Sequence, residues 1–400
     1  MRESVDKKWL AETDGLGHES RSRNKHMRGD NMLNQQILDL YTDYLIASTS
    51  HTTATGLAEL LGDGYSHDKI TRFLNQETYT PKRYWQLIKP TVRRIEHDDG
   101  VLDVDDTIEE KPYTDENDIV CWHFDHTRHS HVKGINILNF MYHRVFDDGT
   151  DCSLPLAYEI IAKTETYVDK KTGKTKRRSP VTKNALLRGR LKILAITNRV
   201  KFRYVLWDSW YSSADNLKFV KHTLHKDVIC ALKANRKIAL SADAKQAGQF
   251  VTVSALDMAP GTARLVYLKG VDFPVMLAKQ VFTNQDGSTG VLYLISTDTA
   301  LSYTDITTLY KRRWKVETFH KSLKQNASLS KSPTKVERTQ RNHIFAAMLA
   351  FVKLEQLKLQ TSLNHFALKH RLYIKALQAC LRELRQVKEH AETTVVVNFA

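Results

Sequence analysis

The sequence has 400 residues, of which 42% are hydrophobic, and a formal net charge of +15. This composition excludes a disordered chain, and no apolar run approaches the roughly 20 residues that a membrane helix needs. The N-terminus has no apolar signal-peptide segment, so we expect a cytoplasmic protein without a membrane partner. The surplus of positive charge favours a polyanionic partner, most often nucleic acid.

The N-terminal residues 1–31 are polar and predict a disordered leader. A helical spacing of apolar residues begins at Met32, so the sequence leaves open whether translation starts at Met1 or Met32. Several further helical segments follow, and we predict an all-α domain over 32–99.

Two short helices are predicted within that domain, over 55–61 and 66–75, joined by a Gly-Asp-Gly turn. A pair of this kind resembles a helix-turn-helix, and its second helix carries Lys69 and Arg72. We therefore predict DNA contacts by these two side chains. An ordinary helix pair in a bundle is the alternative.

The next segment, 100–234, alternates predicted strands and helices and is interpreted as the first part of a catalytic core. Val-, Ile- and Leu-rich patterns predict strands over 100–106, 132–145, 153–161, 202–208 and 227–233. Helices are predicted over 182–198 and 212–224. The basic segment 170–179 predicts an exposed hairpin or flexible loop.

Residues 235–296 are rich in Val, Thr and Gly and predict several antiparallel strands, a β-rich insertion. The core resumes over 297–350 with a helix from Asp305 to Gln325. A helical C-terminal region follows over 351–400. The fold class is thus α/β, with a mixed-sheet core between helical ends.

Charge is unevenly distributed. Residues 170–190 contain nine Lys and Arg and no acid, and residues 311–341 contain ten Lys and Arg and two acids. Residues 96–118, by contrast, contain eleven acids and one base. An acidic segment in a basic protein is either a solvated loop or a place where cations bind. The four cysteines form no CxxC pair and predict free, mostly buried thiols.

Three carboxylates in different segments form a candidate metal site. Asp105 and Asp208 stand at the ends of two predicted strands, and Glu317 stands inside a predicted helix. Strand ends project side chains at one edge of a sheet, and phosphodiester cleavage with two metal ions needs carboxylates on rigid elements. Asp106 is the fallback for Asp105.

The predicted helix carries further candidate side chains. At about 100° per residue, four of them fall on one face: Tyr310, Arg313, Glu317 and Lys324. Arg and Lys can bind phosphates, and Tyr can donate a hydrogen bond to one. Trp314 and Lys321 add stacking and charge. The alternative is an amphipathic helix whose Glu and Arg form an ordinary ion pair.

Together these residues resemble the DDE transposases of bacterial insertion sequences, in the group with the Y-(2)-R-(3)-E-(6)-K signature. The signature corresponds to Tyr310-x2-Arg313-x3-Glu317-x6-Lys324, and Asp105-Asp106-Thr107 matches the family's D-x-[T/S] context, which favours Asp105. Over roughly 100–350, the resemblance implies a ribonuclease-H-like core and metal ligation by Asp105, Asp208 and Glu317.

The same resemblance implies cofactors and partners. The cofactor would be Mg²⁺, with Mn²⁺ as a substitute and two ions per site. The partner would be double-stranded DNA, both the terminal inverted repeats and the target, bound by a homodimer in the synaptic complex of a bacterial, nucleoid-associated enzyme.

Three alternatives stay open from the sequence. The chain could be an inactive or domesticated DNA-binding protein, or a metal-dependent nuclease without strand transfer. A third is a zinc site in the cluster Cys121, His123, Asp125, His126, His129 and His131, but its spacing fits no usual zinc pattern. A polar segment near DNA is favoured for this cluster.

Overall fold

The computed structural model describes residues 21–76, 78–125 and 128–398. The chain divides into two compact units between Tyr41 and Thr42. The predicted leader lies outside the described residues as far as residue 20, and residues 21–31 belong to the first helix.

Eleven α-helices occur in the described residues. They are α1 (Arg21–Ala47), α2 (Ala54–Leu61), α3 (His67–Gln76), α4 (Pro81–Ile95), α5 (Lys183–Lys192), α6 (Ala214–Lys218), α7 (Ala242–Gln246), α8 (Tyr303–Lys311), α9 (Lys315–Gln325), α10 (Glu337–Thr361) and α11 (His365–Asn398). The predicted helix pair is present as α2 and α3, and the Thr53 hydroxyl caps α2 by accepting the N–H of Gly56.

Thirteen β-strands occur in the described residues. They are β1 (Val101–Glu110), β2 (Cys121–Asp125), β3 (Ser130–Val145), β4 (Asp151–Ile160), β5 (Glu165–Val168), β6 (Thr175–Arg178), β7 (Tyr204–Trp207), β8 (Asp227–Leu232), β9 (Lys237–Ala239), β10 (Val251–Thr252), β11 (Thr262–Leu268), β12 (Val275–Thr283) and β13 (Thr289–Ser296). The exposed hairpin predicted for the basic segment is β5–β6.

Eleven strands form one mixed sheet, in the order β10-β9-β11-β12-β13-β8-β7-β1-β3-β2, with β4 also paired to β3. In its centre β1, β3 and β4 are antiparallel, whereas β7 and β8 run parallel to β1. Parallel neighbours need a crossover, and here α5 precedes β7 and α6 precedes β8. The α/β class with a mixed sheet is confirmed.

The strands of the predicted insertion extend this sheet instead of forming a separate one. β13 pairs antiparallel with β8, β12 with β13, and β11 with β12. The short strands β9 and β10 complete the edge. Backbone hydrogen bonds therefore connect the insertion directly to the strands that follow β1.

Helices cover the sheet on either side of β1. α8 packs on β8, β12 and β13, α9 packs on β1, and both α4 and α10 pack on β4. The Tyr84 hydroxyl of α4 donates to the carbonyl of Pro155 at 2.7 Å, which ties α4 to the sheet. Cys121, Cys152 and Cys230 are buried and Cys380 is exposed, all as free thiols, as predicted.

The continuous helix predicted from Asp305 to Gln325 is wrong. A 3₁₀ turn at Arg312–Trp314 separates α8 from α9. A 3₁₀ turn advances about 120° per residue, so three residues add a phase offset of about 60° to the helical wheel. The turn therefore shifts the predicted angle between Tyr310 and Glu317 from about −20° to about +40°, and it divides the predicted helix into two.

Gly134 lies where β3 pairs with β1 on one side and β2 on the other. A Cβ at this position would stand 2.4 Å from the Glu109 carbonyl oxygen, which is backbone and cannot rotate away. We expect Gly134→Ala to lower the free energy of unfolding by about 1–3 kcal/mol, measured by urea denaturation.

Gly189 supplies the matched control, because it is exposed in α5 with no atom within 4 Å of the built Cβ. Gly189→Ala should leave the stability unchanged or raise it by up to about 1 kcal/mol. Equal effects of the two substitutions would contradict the close approach at Gly134.

Candidate active site

The parallel pairing of β1 with β7 brings two predicted site residues together. The register aligns Asp103 with Leu206, and two residues further along stand Asp105 and Asp208. Asp208 directly follows β7, and its carboxylate accepts the N–H of Trp210 at 2.9 Å. That bond caps the 3₁₀ turn after the strand and fixes the carboxylate at this edge of the sheet. Burial raises the pKa of Asp208 above its ordinary value.

Asp105 is partly buried and has one oxygen facing a cation. Its Oδ1 accepts the N–H of Asp106 at 2.8 Å, and its Oδ2 lies 3.5 Å from Nη1 of Arg313. Burial, together with the charges of Asp106 and Asp208, raises the pKa of Asp105 to about 7. The carboxylate is thus held in a place where its own ionisation is unfavourable.

Asp106 has the opposite environment. Its Oδ2 accepts bonds from Lys183 at 2.7 Å and Asn136 at 2.9 Å, and its Oδ1 accepts one from Tyr211 at 2.7 Å. Burial alone would raise the pKa of Asp106, but these partners, Lys183 foremost, lower it. Both oxygens are occupied, which favours Asp105 over Asp106 as the open carboxylate.

Asp103 was not among the residues predicted from the sequence. It is 3% exposed, and neither carboxylate oxygen has a hydrogen-bond partner. Burial raises its pKa well above the ordinary value, and the negative charges of Asp105 and Glu317 add to the effect. Sequence reasoning missed it because one more acid in an acid-rich strand carries no signal of burial.

Arg313 contributes the positively charged guanidinium group of this site. Its side chain is 14% exposed, and it lies over the rings of Tyr310 and Trp314 at 5.5 and 5.6 Å. Its Nε is buried without an acceptor. Tyr310 itself is buried in the core between α8 and the sheet, so its predicted phosphate contact stays a prediction. The contact that the structure gives it is with Arg313.

Glu317 stands in the first turn of α9, where its side chain is exposed. His320 and Lys324 follow three and seven positions later on the same side of the helix, and these two residues contact the sheet. His320 Nε2 lies 3.2 Å from the Asn139 amide nitrogen, and Lys324 donates to the carbonyl of Ile108 at 2.7 Å. Both contacts dock α9 on β3 and β1. Burial lowers the pKa of His320 to about 3, which keeps its ring neutral.

The other predicted DNA-contacting side chains lie at the surface or half-buried. Trp314 is 64% exposed, and Lys321 is exposed with its ammonium 5.3 Å from the Phe366 ring centre. In α3, Lys69 lies over the Tyr65 ring, and the exposed Arg72 donates to a backbone carbonyl one turn earlier. These contacts are with aromatic rings and a backbone carbonyl, so Lys69, Arg72 and Lys321 keep positive charge that phosphate can bind.

The cluster weighed as an alternative zinc site is divided between the two faces of the sheet, because His131 is exposed and pairs in register with Phe124, on the face opposite to Cys121 and His123. Cys121 and His123 are buried, and burial lowers the pKa of His123 to about 3. The Cys121 thiol donates to the carbonyl of Asn117. His126 lies outside the described residues.

The chemistry of the carboxylate cluster fits a divalent cation. Three carboxylates interact with one guanidinium, that of Arg313: they are Asp103, Asp105 and Asp208, and the charge of the exposed Glu317 acts on Asp103. The raised pKa values of these three aspartates, and the oxygens of Asp103 that have no hydrogen-bond partner among the described residues, show a surplus of negative charge in a buried place. In the present arrangement, no three His, Cys, Asp or Glu side chains of the described residues lie close enough to hold one ion together.

Comparison with known protein families decides which class of protein carries this site. A family model described as "Archaeal putative transposase ISC1217" matches residues 86–368, which is more than two thirds of the chain. The chain belongs to this transposase family. The match contains β1, β7 and α9, and hence every carboxylate of the site. It confirms the resemblance to insertion-sequence transposases.

Three further findings concern the relatives of the transposase, its origin and its relation to membranes. No curated protein matches its sequence. The family is described as archaeal, so the expected bacterial origin has no support. In the part of the chain that the structure describes, no helix is both long and apolar enough to cross a membrane.

Because the pKa of Asp105 is raised, the free energy of unfolding should depend on pH in a predictable way. A carboxyl whose pKa is higher in the folded than in the unfolded protein stabilises the fold at low pH and loses that contribution as pH rises through the folded value. We expect Asp105→Asn to be nearly neutral at pH 4. At pH 8, without metal, it should raise the free energy of unfolding by about 1–4 kcal/mol.

The measurement is urea denaturation in EDTA at both pH values. Asp106→Asn is the matched control. It removes a carboxylate with a lowered pKa, so it should destabilise the transposase at neutral pH. A metal-free Asp105→Asn protein that is no more stable than wild type at pH 8 would contradict the environment described for Asp105.

Proposed function

We propose that this transposase binds the ends of its insertion sequence and performs metal-dependent strand cleavage and strand transfer, with Asp105, Asp208 and Glu317 as the metal ligands. The observation that carries the proposal is the juxtaposition of Asp105 in β1 and Asp208 directly after the parallel neighbour β7, with α9, the helix that carries Glu317, docked on β1 through Lys324. Family membership supports the class of reaction.

The topology supports a ribonuclease-H-like core as its framework. The central five strands have the order β4-β3-β1-β7-β8, three antiparallel followed by two parallel. Such a sheet places the ends of β1 and β7 at one edge, while the helix after the last strands can cross it. The β-rich insertion enters between β8 and α8, which accounts for the distance in sequence between Asp208 and Glu317.

Mg²⁺, or Mn²⁺ in its place, is the proposed cofactor, with two ions per site. Bound ions would activate the attacking water or 3′-hydroxyl and stabilise the leaving oxygen. The protein contributes rigid carboxylates: Asp208 is fixed by its turn, and Asp105 by the N–H that follows it. Arg313 neutralises part of the negative charge in the metal-free protein.

The basic side chains around the site are proposed to bind the DNA backbone. Arg313 offers a planar guanidinium held between two rings, which suits bidentate phosphate binding. Trp314 next to it is exposed and can contact a base, and Lys321 on α9 is exposed and can contact phosphate. Lys324 serves first to dock α9, and Tyr310 to orient Arg313.

Recognition of the element ends is assigned to other surfaces. The α2–α3 pair, with Lys69 and Arg72, would contact the terminal inverted repeats as a helix-turn-helix. The basic β5–β6 hairpin is a second candidate for contact with DNA. Strand transfer joins two ends, so we propose a homodimer on double-stranded DNA, acting in the cytoplasm.

Cleavage tests the metal ligands. Purified protein with Mg²⁺ or Mn²⁺ should nick a duplex that carries either end of the DNA bracketing the gene. Asp208→Asn and Glu317→Gln should each lower the nicking rate by at least about a hundredfold, because each removes a charged ligand worth several kcal/mol in the transition state. If either variant cuts as well as wild type, its assignment as a ligand is wrong.

A second comparison separates Asp105 from Asp106. Asp105→Asn should abolish nicking and weaken Mn²⁺ binding, measured by calorimetry, while the fold stays intact. Asp106→Asn should instead lower stability, because it leaves Lys183 without its partner. The reverse pattern would make Asp106 the ligand.

Arg313→Ala should weaken binding of a labelled end duplex or slow its nicking by roughly tenfold or more, with an unchanged circular dichroism spectrum. Wild-type binding and cutting would exclude the phosphate role of Arg313.

A strand-transfer assay with a target plasmid separates a transposase from a nuclease on the same core. Tight binding to the ends without cleavage would indicate an inactive, DNA-binding relative.

A further inference from the structure

The C-terminal helix α11 has a long exposed segment. Every described residue from His370 to Ala391 is exposed, although the helix runs from His365 to Asn398. Most helices in proteins are stabilised chiefly by burying an apolar face in tertiary packing and less by intrinsic helix propensity. The exposed segment therefore has a face whose burial would stabilise it.

Apolar side chains on this segment repeat at alternating intervals of four and three residues. They are Tyr373, Leu377, Cys380, Leu384 and Val387. The four larger ones are 40–57% exposed, which is unusual for a row of such side chains on one helix. A repeat of seven residues with two apolar positions is the pattern of a left-handed coiled coil, where these residues occupy the a and d positions.

The flanking positions follow the same heptad. With Leu377 and Leu384 at a, the exposed Leu381 stands at e and widens the apolar stripe. The f positions, which point away from a partner helix, are all charged: Lys375, Arg382 and Glu389. The segment thus has one apolar and one charged side, as a helix in a coiled coil does.

We propose that the segment 373–391 of two copies of this chain forms a parallel, in-register coiled coil. Charge complementarity favours this partner and orientation. Glu383 stands at g and Lys388 at the following e, five residues later, and in a parallel pair the g residue of one helix lies beside that e residue of the other. Two copies would form this pair of opposite charges twice.

Cys380 gives the proposed dimer a built-in reporter. It occupies a d position, so in a parallel, in-register pair it meets Cys380 of the second copy across the interface. The other three cysteines are buried, which leaves Cys380 as the exposed thiol. An antiparallel or shifted pair would separate the two thiols along the helix axis.

The first experiment uses the full-length protein without DNA and with EDTA, so it does not depend on the proposed catalytic function. Sedimentation equilibrium should give a dimer, and mild oxidation should convert that dimer to a disulfide-linked species that dithiothreitol reverses. Cys380→Ser should remain a dimer but lose the cross-link. A monomeric wild-type protein, or a dimer in which Cys380 does not cross-link, would overturn the proposal.

The second experiment compares two double variants that place new glutamates on the same exposed helix. Leu377→Glu with Leu384→Glu changes two a positions and should weaken dimerisation by at least about tenfold. Lys375→Glu with Arg382→Glu changes two f positions and should leave the dimer intact. Thermal denaturation by circular dichroism checks that both variants fold. An unchanged dimer in the first, or equal loss in both, would reject the coiled coil.

A failed nicking assay and a failed dimer assay are distinguishable. A wild-type dimer that does not nick, or a Glu317→Gln dimer that nicks as well as wild type, would contradict the catalytic proposal alone. A monomeric wild type that still nicks single ends would reject the coiled coil and leave the metal site untouched.

Discussion

The parallel pairing of β1 with β7 is the constraint on which the site depends. It sets Asp105 beside Asp208, two like charges that would separate in a flexible chain. The pairing of β1 with β3 on its other side holds the strand in register over ten residues. The repulsion between the carboxylates is therefore offset by the hydrogen bonds and apolar packing of the whole sheet. This is a local cost of the kind found where a protein prepares a binding site in advance of its ligand.

Two adjacent residues of β1 differ in whether their carboxylates are stabilised by partners or repelled by other charges. Asp105 and Asp106 point to opposite faces of β1, because side chains alternate along a strand. Asp106 meets Lys183, Tyr211 and Asn136 and is fully paired, whereas Asp105 meets other carboxylates and one guanidinium. One of the pair stabilises the fold, and the other is available for a cation. The pKa shifts, down for Asp106 and up for Asp105, express this division.

Much of this arrangement follows from the sequence. Apolar alternation predicted a strand over 132–145, and β3 covers Ser130–Val145. It also predicted Asp105 and Asp208 at the ends of two strands. Asp208 directly follows β7, but Asp105 stands in the middle of β1, which continues to Glu110, and the two strands are neighbours. The interrupted helix was not predictable from spacing, because an interval of three residues between Tyr310 and Arg313 fits both an α-helix and a 3₁₀ turn. The pairing of Asp106 with Lys183 was equally hidden, since it joins residues 77 positions apart through the tertiary fold.

The antiparallel pairing of β13 with β8 has a consequence for evolution and for engineering. The insertion shares a continuous hydrogen-bond ladder with the strands of the site, so the two parts must unfold as one cooperative unit. Substitutions in β13 are transmitted to β8 and thence to β7, which carries Asp208. The two-residue strand β10 lies at the far edge, four strands beyond β13. Loops at that edge can lengthen or change partners, whereas changes in the strands next to β8 would shift the strand that leads to Asp208.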